Sequence, residues 1–138
     1  MGDRGMIGVE FPRNEYEEDL REPAKMIYLY THWGGSEVAA DLARALQHGG
    51  DQDPAYLCRR IFEEMRGPFA DTSRHFGITP HPVGDAEYAV PIVRWRKMEH
   101  FDHRRNWVIK LECVVDYADT TFTADGFVDH YLREEDQP

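Results

Sequence analysis

Residues 25–46, KMIYLYTHWGGSEVAADLARAL, join two hydrophobic patterns in one short stretch. The first half is rich in aromatic and β-branched residues, which is typical of a buried strand. Gly34 and Gly35 follow, and Ser36 is a good N-cap for a helix. Apolar residues then recur at helical spacing, at Val38, Ala39, Leu42, Ala45 and Leu46. A strand that runs directly into a helix is the starting point for the fold assignment.

The other segments predict a second helix and more strands. Asp53 caps the second helix, which begins at Pro54 and ends before Gly67. Strict alternation over 107–117, WVIKLECVVDY, indicates a half-buried antiparallel strand. Further strands are predicted at 4–11, 75–79 and 87–95, and a last short helix at 123–134. Pro91 cannot donate to a ladder, so the strand at 87–95 is predicted to be an edge or bulged strand.

The predicted order of elements is β-β-α-α-β-β-β-α. It indicates an α+β fold in which a mostly antiparallel sheet has a helical pair packed on one face. Residues 1–138 are expected to form a single domain. Within it, 12–24 is a charged loop or insert and 134–138 is a frayed tail.

The chain is acidic, and its acidity lies at the two ends. The net charge is −10, with seven acids and three bases in 1–24, seven acids and one base in 116–138, and twelve of each between. Such a surface disfavours direct binding to DNA or to an anionic membrane. No apolar run is long enough to span a bilayer, and no export signal is visible. A cytoplasmic location with free thiols at Cys58 and Cys113 is therefore expected.

The end of the first quoted strand is the main candidate site. In a strand, Tyr28, Tyr30 and His32 share one face, and Ile27, Leu29, Thr31 and Trp33 share the other, which suits the core. Gly34 and Gly35 permit close backbone approach, and the amides from Ser36 onward open a helix, as in anion sites. One interpretation is a site for a nucleotide-like ligand, lined by Tyr28, Tyr30, His32, Trp33, Gly34, Gly35 and Ser36. The simpler interpretation is a tight strand-to-helix turn.

A second signal is the one basic stretch, RWRKMEHFDHRR, over 94–105. Its later part, 97–105, is predicted to be a long hairpin loop. Cations interleaved with aromatic residues resemble a surface for phosphates and stacked rings. The alternative is a solvated hairpin whose cations pair with the acidic ends. In the first interpretation Arg94, Arg96, Arg104 and Arg105 complete an anion pocket near the Gly34–Gly35 corner.

No catalytic or metal motif emerges from the residue spacing. His75, His81, His100 and His103 lie in predicted loops without a ligand pattern, and no Cys-x-x-Cys pair exists. Ser36 and Ser73 are the only serines, and neither lies in a Gly-x-Ser-x-Gly turn. No metal, no cofactor and no catalytic residue is therefore assigned.

Several segments, taken in order, resemble one family of small phage and bacterial proteins, particularly actinobacterial ones. They are MGDRG, IYLYTHWGGSE, DPAYLCRRIFEEM, FGIT and GFVDHYL. Family members typically have DNEYPI where this chain has DAEYAVPI, and the basic hairpin and the insert at 12–24 are particular to this chain. The resemblance implies a phage-type setting and a counter-defence role, without implying a chemistry.

Three functions follow as hypotheses. The first is a non-enzymatic binding protein for an anionic, nucleotide-like ligand. The second is an acidic protein–protein inhibitor, or decoy, directed at a basic host protein. The third is a hydrolase that depends on His32.

Overall fold

The computed structural model describes residues 3–12, 25–49, 53–66, 76–82, 84, 87–101, 104 and 107–132. Its strands are β1 (Gly5–Phe11), β2 (Lys25–Thr31), β3 (Phe76–Thr79), β4 (Ile92–Phe101), β5 (Trp107–Tyr117) and β6 (Thr120–Thr123). Its helices are α1 (Val38–Gln47), α2 (Pro54–Arg66) and α3 (Ala124–Leu132), and a short 3-10 helix, Gly35–Glu37, precedes α1. The insert at 13–24 and the tail at 134–138 lie outside the described residues.

The strands form one six-stranded sheet in the order β3-β2-β1-β4-β5-β6. Neighbouring strands are antiparallel except β1 and β4, which are parallel. The three helices pack on one face, with α1 in contact with both α2 and α3. The α+β prediction is confirmed, and the helical pair is in fact a helical trio.

Side chains along β1, β2, β4 and β5 point alternately to the two faces of the sheet, although Met6 and Val114, on the face away from the helices, are also buried. Ile7, Leu29, Val93 and Val115 face the helices and are fully buried. The opposite face, which no described helix covers and which we call the open face, carries the alternate residues. One row across it is Thr79, Tyr28, Gly8, Ile92, Asp116 and Thr121. The prediction that Tyr28 and Tyr30 share a face away from Leu29 is therefore confirmed.

Two predictions about β4 are wrong. β4 is not an edge strand, since it lies between β1 and β5. Pro91 precedes its first residue, and the Pro91 carbonyl accepts a hydrogen bond from the Gly8 amide at 2.9 Å, so the missing proline donor costs no ladder bond. Within the predicted loop at 97–105, residues 97–101 are strand, because β4 stays paired with β5 as far as Phe101.

The sequence interpretation also missed β6. A two-residue turn at Ala118 and Asp119, with φ of 50° and 65°, reverses the chain directly into Thr120. Both residues adopt the left-handed conformation that a type I′ turn requires. Neither is glycine, so the usual sequence signal for this turn is missing.

The second helix forms as its sequence predicts. The Asp53 carboxylate accepts a hydrogen bond from the Ala55 amide at 2.9 Å, and α2 begins at Pro54. Leu57, Ile61 and Met65 are its buried residues. The predicted stop at Gly67 lies outside the described residues.

Both cysteines are free, as predicted. Burial, with a smaller contribution from the Asp53 carboxylate, raises the pKa of Cys58 from 9.0 to about 11. Since only the thiolate reacts, we expect Cys58 to react with Ellman's reagent about 100-fold more slowly at pH 8 than an unperturbed thiol. The rate should rise about tenfold per pH unit up to pH 10. A rate that levels off near pH 9 would contradict this pKa.

Candidate functional site

The corner between β2 and α1 is occupied by the chain's own N-terminal segment. The Asp3 carboxylate accepts hydrogen bonds from the Ser36 amide, at 3.2 Å, and from the Ser36 hydroxyl, at 2.7 Å. The Asp3 carbonyl accepts from the Gly35 amide at 2.6 Å, and the Asp3 amide donates to the His32 carbonyl at 2.7 Å. The Gly35 and Ser36 amides expected to meet a ligand phosphate therefore already bond to Asp3.

The prediction that Ser36 caps the helix is wrong. Ser36 lies inside the 3-10 helix, its hydroxyl donates to Asp3, and α1 begins only at Val38. The chain supplies the capping acceptor from residue 3, which is 33 positions away in sequence. Sequence spacing near the helix contains no signal for a cap of this kind.

Tyr88 brings a third segment to this corner. The hydrogen bond that its hydroxyl makes with Asp3 raises the pKa of Tyr88 above the ordinary value of 10.0. The neighbouring Glu87 amide donates to the Arg4 carbonyl at 3.0 Å. Residues 3–4, 34–36 and 87–88 thus form one hydrogen-bonded cluster.

Replacing Asp3 by alanine tests this arrangement. We expect the pKa of Tyr88 to fall toward 10.0, since its acceptor and the nearby negative charge are both removed. The free energy of unfolding should fall by about 1 kcal/mol, as for loss of a helix cap. Ultraviolet titration of Tyr88 and urea denaturation measure the two effects. Asp129→Ala, on the exposed side of α3, is the control and should change neither.

The predicted aromatic residues lie on the open face, but their rings pack on glycine. A Cβ at Gly8 would lie 3.0 Å from the Tyr28 ring, and a Cβ at Gly77 would lie 2.7 Å from the Tyr30 hydroxyl. Each tyrosine therefore lies over a glycine in a neighbouring strand. His32 follows the end of β2, and its ring contacts the Tyr30 ring edge-on at 5.7 Å between centroids. Tyr28, Tyr30 and His32 are partly exposed.

Two of the predicted arginines share the open face, and both are paired. Arg94 forms a bidentate pair with Asp116, through Nε at 2.6 Å and Nη2 at 3.3 Å. The Arg94 hydrogen bond is the largest of the effects that lower the pKa of Asp116. Arg96 pairs with Glu112 through Nε at 3.2 Å. Arg94 lies two strands from Tyr28, which is about 10 Å across the sheet.

The basic hairpin and the glycine corner lie at opposite ends of the sheet. Gly8 is level with Ile92, and Phe101 is nine residues further along β4, which is roughly 30 Å. Asp3 and Gly35 lie beyond the other end of β1. Arg104 therefore belongs to the far end of the hairpin and does not complete a pocket at the corner. Arg105 lies outside the described residues.

The prediction that Trp33 faces the core is wrong. The alternation of β2 stops at Thr31, whose hydroxyl accepts a hydrogen bond from the Trp33 amide at 3.3 Å. The chain turns there, and Trp33 is 52% exposed. Tyr88 is 40% exposed at the same corner, where Glu37 and Glu87 are also exposed.

No group of three or more His, Cys, Asp or Glu residues among the described residues could hold a metal ion. His75 and His103 lie outside those residues, and the side chain of His100 is likewise not described.

No helix in the described ranges is long and apolar enough to cross a membrane. Comparisons with protein-family models, curated proteins and solved structures found no match to this chain.

Proposed function

We propose that this chain is a non-enzymatic binding protein for a flat, anionic ligand of the mononucleotide class, which lies on the open face. The observation that carries the proposal is the row of Tyr28, Tyr30 and His32 on a sheet face that no described helix covers. Aromatic rings on an open sheet are a common surface for stacking bases.

The glycines beneath the two tyrosines support this proposal. Gly8 and Gly77 leave room for the Tyr28 and Tyr30 rings to lie close to the sheet. Rings held in this way have lost much of their rotamer freedom before a ligand arrives, so less entropy is lost on binding. His32, in edge contact with Tyr30, lies at the end of the row, where its ring nitrogens can hydrogen-bond a ligand.

Arg94 is the proposed phosphate contact. Its pair with Asp116 uses Nε and Nη2, so Nη1 is the atom available for a phosphate oxygen. Glu10, Glu112 and Asp116 balance the arginines of this face, which disfavours a long polyanion and favours a ligand with few charges. The proposed site includes neither the Gly34–Ser36 amides nor Arg104. In the phage-type setting that the resemblance implies, such a protein would sequester a host nucleotide in the cytoplasm.

A thermal-shift series tests the proposal. A ligand at tenfold excess over its dissociation constant should raise the melting temperature by about 4 °C or more. The panel contains mononucleotides, cyclic dinucleotides and inorganic phosphate. Tyr30→Leu and His32→Ala should abolish the shift, whereas Tyr56→Leu, an exposed tyrosine on α2, should keep it. Chromatography of the bound nucleotide then separates binding from hydrolysis.

Two results would count against this proposal. A flat response to the whole panel would mean that none of these ligands binds the protein. A shift that survives both Tyr30→Leu and His32→Ala would mean that the ligand binds at another place. If the nucleotide is broken down and His32→Ala abolishes this breakdown, the result would instead favour the hypothesis of a hydrolase that depends on His32.

The corner between β2 and α1 supports a second candidate function, that of an acidic decoy for a basic protein. Exposed Trp33 and Tyr88 stand there beside Asp3, Glu37 and Glu87. Aromatic faces beside carboxylates suit lysine and arginine side chains. This candidate predicts that an oligo-arginine peptide changes the tryptophan fluorescence in a salt-sensitive way, and that Trp33→Ser removes the change.

A further inference from the structure

The two tyrosines of the open face lean in opposite directions. A Cβ placed at Gly8 would lie 3.0 Å from the Tyr28 ring, so this ring covers β1. A Cβ placed at Gly77 would lie 2.7 Å from the Tyr30 hydroxyl and 2.8 Å from its Cζ, so this ring covers β3. Because β1 and β3 lie on either side of β2, the two rings diverge.

The register of the three strands explains why the rings diverge. Across the open face, Tyr28 has Thr79 beside it on β3 and a glycine beside it on β1. Tyr30 has the reverse arrangement, with a glycine on β3 and Met6 on β1. Each ring lies over the neighbour that has no side chain, because a glycine leaves room above its strand. The neighbouring strands therefore set the direction of each ring.

The separation of the two rings exceeds the length of one base. Gly8 and Gly77 lie two strands apart, which is about 10 Å, and they are offset by two residues along the strands, which is about 7 Å. Together these offsets place the two glycines about 12 Å apart. Where aromatic residues of a sheet stack bases, each ring takes its own base. One mononucleotide can therefore stack on Tyr28 or on Tyr30, but not on both.

Each ring also has a polar side chain of its own nearby. The His32 ring contacts the Tyr30 ring edge-on, at 5.7 Å between centroids. Arg94 lies one strand away from Gly8 and two residues further along, so their Cα atoms are about 8 Å apart. Tyr30 lies roughly 17 Å from Arg94, since four residues and two strands separate them. Contacts from His32 to Arg94 thus extend further than the base and phosphate of one mononucleotide.

We infer that the open face has two base-stacking subsites and that its full ligand carries two linked nucleobases. This inference rests on the proposed function and deepens it, because a mononucleotide would fill only one subsite. One base lies on Tyr30 beside His32. The second base lies on Tyr28, and its phosphate lies at Arg94. Since the two bases are linked, binding of the first raises the effective concentration of the second.

Isothermal titration calorimetry of the full chain compares adenosine monophosphate with pApA, in which a phosphodiester joins two adenosine nucleotides. Adenine is a suitable probe because stacking on aromatic rings tolerates every base. We expect pApA to bind about tenfold or more tightly than adenosine monophosphate. Tyr28→Leu should abolish this difference but change the affinity for adenosine monophosphate by less than about twofold, since that nucleotide stays on Tyr30. Tyr28→Phe, which keeps the ring, should preserve the difference.

Tyr56→Leu, which changes a tyrosine 42% exposed on α2, is the control and should change neither affinity. Three results would overturn the two subsites while leaving the proposed function in place. They are equal affinities for the two nucleotides, a tighter binding of pApA that survives Tyr28→Leu, and a loss of adenosine monophosphate binding in Tyr28→Leu. If neither nucleotide binds, the result would contradict the proposed function and, with it, this inference.

Discussion

Replacing Gly35 by alanine is expected to lower the free energy of unfolding by about 3 kcal/mol or more. A Cβ at this position would lie 2.5 Å from the carbonyl carbon of Arg4 and 2.7 Å from the Gly5 nitrogen. Both are backbone atoms, so no side-chain rotation can relieve the contact. To accommodate the methyl group, the chain must pull β1 away from the start of α1.

Urea denaturation measures this loss, and Gly84→Ala is the matched control. No atom lies within 4 Å of a Cβ placed at Gly84, so that change should be neutral or slightly stabilising. A loss of less than 1 kcal/mol in Gly35→Ala would mean that the corner yields readily, contrary to the close contact in the structure. The expected result assigns Gly35 to backbone packing rather than to phosphate binding.

The second large effect is expected for Arg44→Met. Arg44 joins α1 to α2, with Nη2 at 2.8 Å from Asp41 Oδ1 and Nε at 3.3 Å from Glu64 Oε2. Asp41 is 1% exposed, so removing the cation leaves a buried carboxylate with less compensation. We expect the free energy of unfolding to fall by about 2 to 3 kcal/mol. Methionine keeps much of the apolar stem, so the loss is mainly that of charge and hydrogen bonds.

Arg59→Met is the comparison variant for Arg44→Met, because it also removes an arginine from an ion pair. Arg59 forms an ion pair of similar length, 3.0 Å to Glu63, but its side chain is 73% exposed. Exposed pairs contribute little, so the expected cost is below about 0.5 kcal/mol. Equal losses in the two variants would show that the burial of Asp41 does not set the energetic cost of losing its arginine.

Much of the fold is local in origin and is visible in the sequence. Alternation in 107–117 assigns Cys113 and Val115 to the core face, because side chains on a strand point to opposite sides in turn. Asp53 and Pro54 mark the start of α2 because a cap and a fixed φ act on adjacent residues. The free state of both cysteines followed from their positions in separate elements.

The candidate site was only partly visible, since its partners come from distant segments. The sequence indicated that Tyr28 and Tyr30 share a face, but not that their rings pack over Gly8 and Gly77. It marked Arg94 as a cation, but not its pairing with Asp116 on the neighbouring strand. Strand register brings these groups together, and register depends on the whole sheet.

By itself the sequence determined the α+β class, most element positions and the two faces of β2, because each depends on periodicity and caps within a few residues. Only the tertiary structure decided that β4 is central, that Trp33 is exposed and that the basic hairpin lies far from the glycine corner. It also placed the Asp3 carboxylate on the Ser36 amide. A contact across 33 positions forms when the sheet brings two segments together, and no local pattern encodes it.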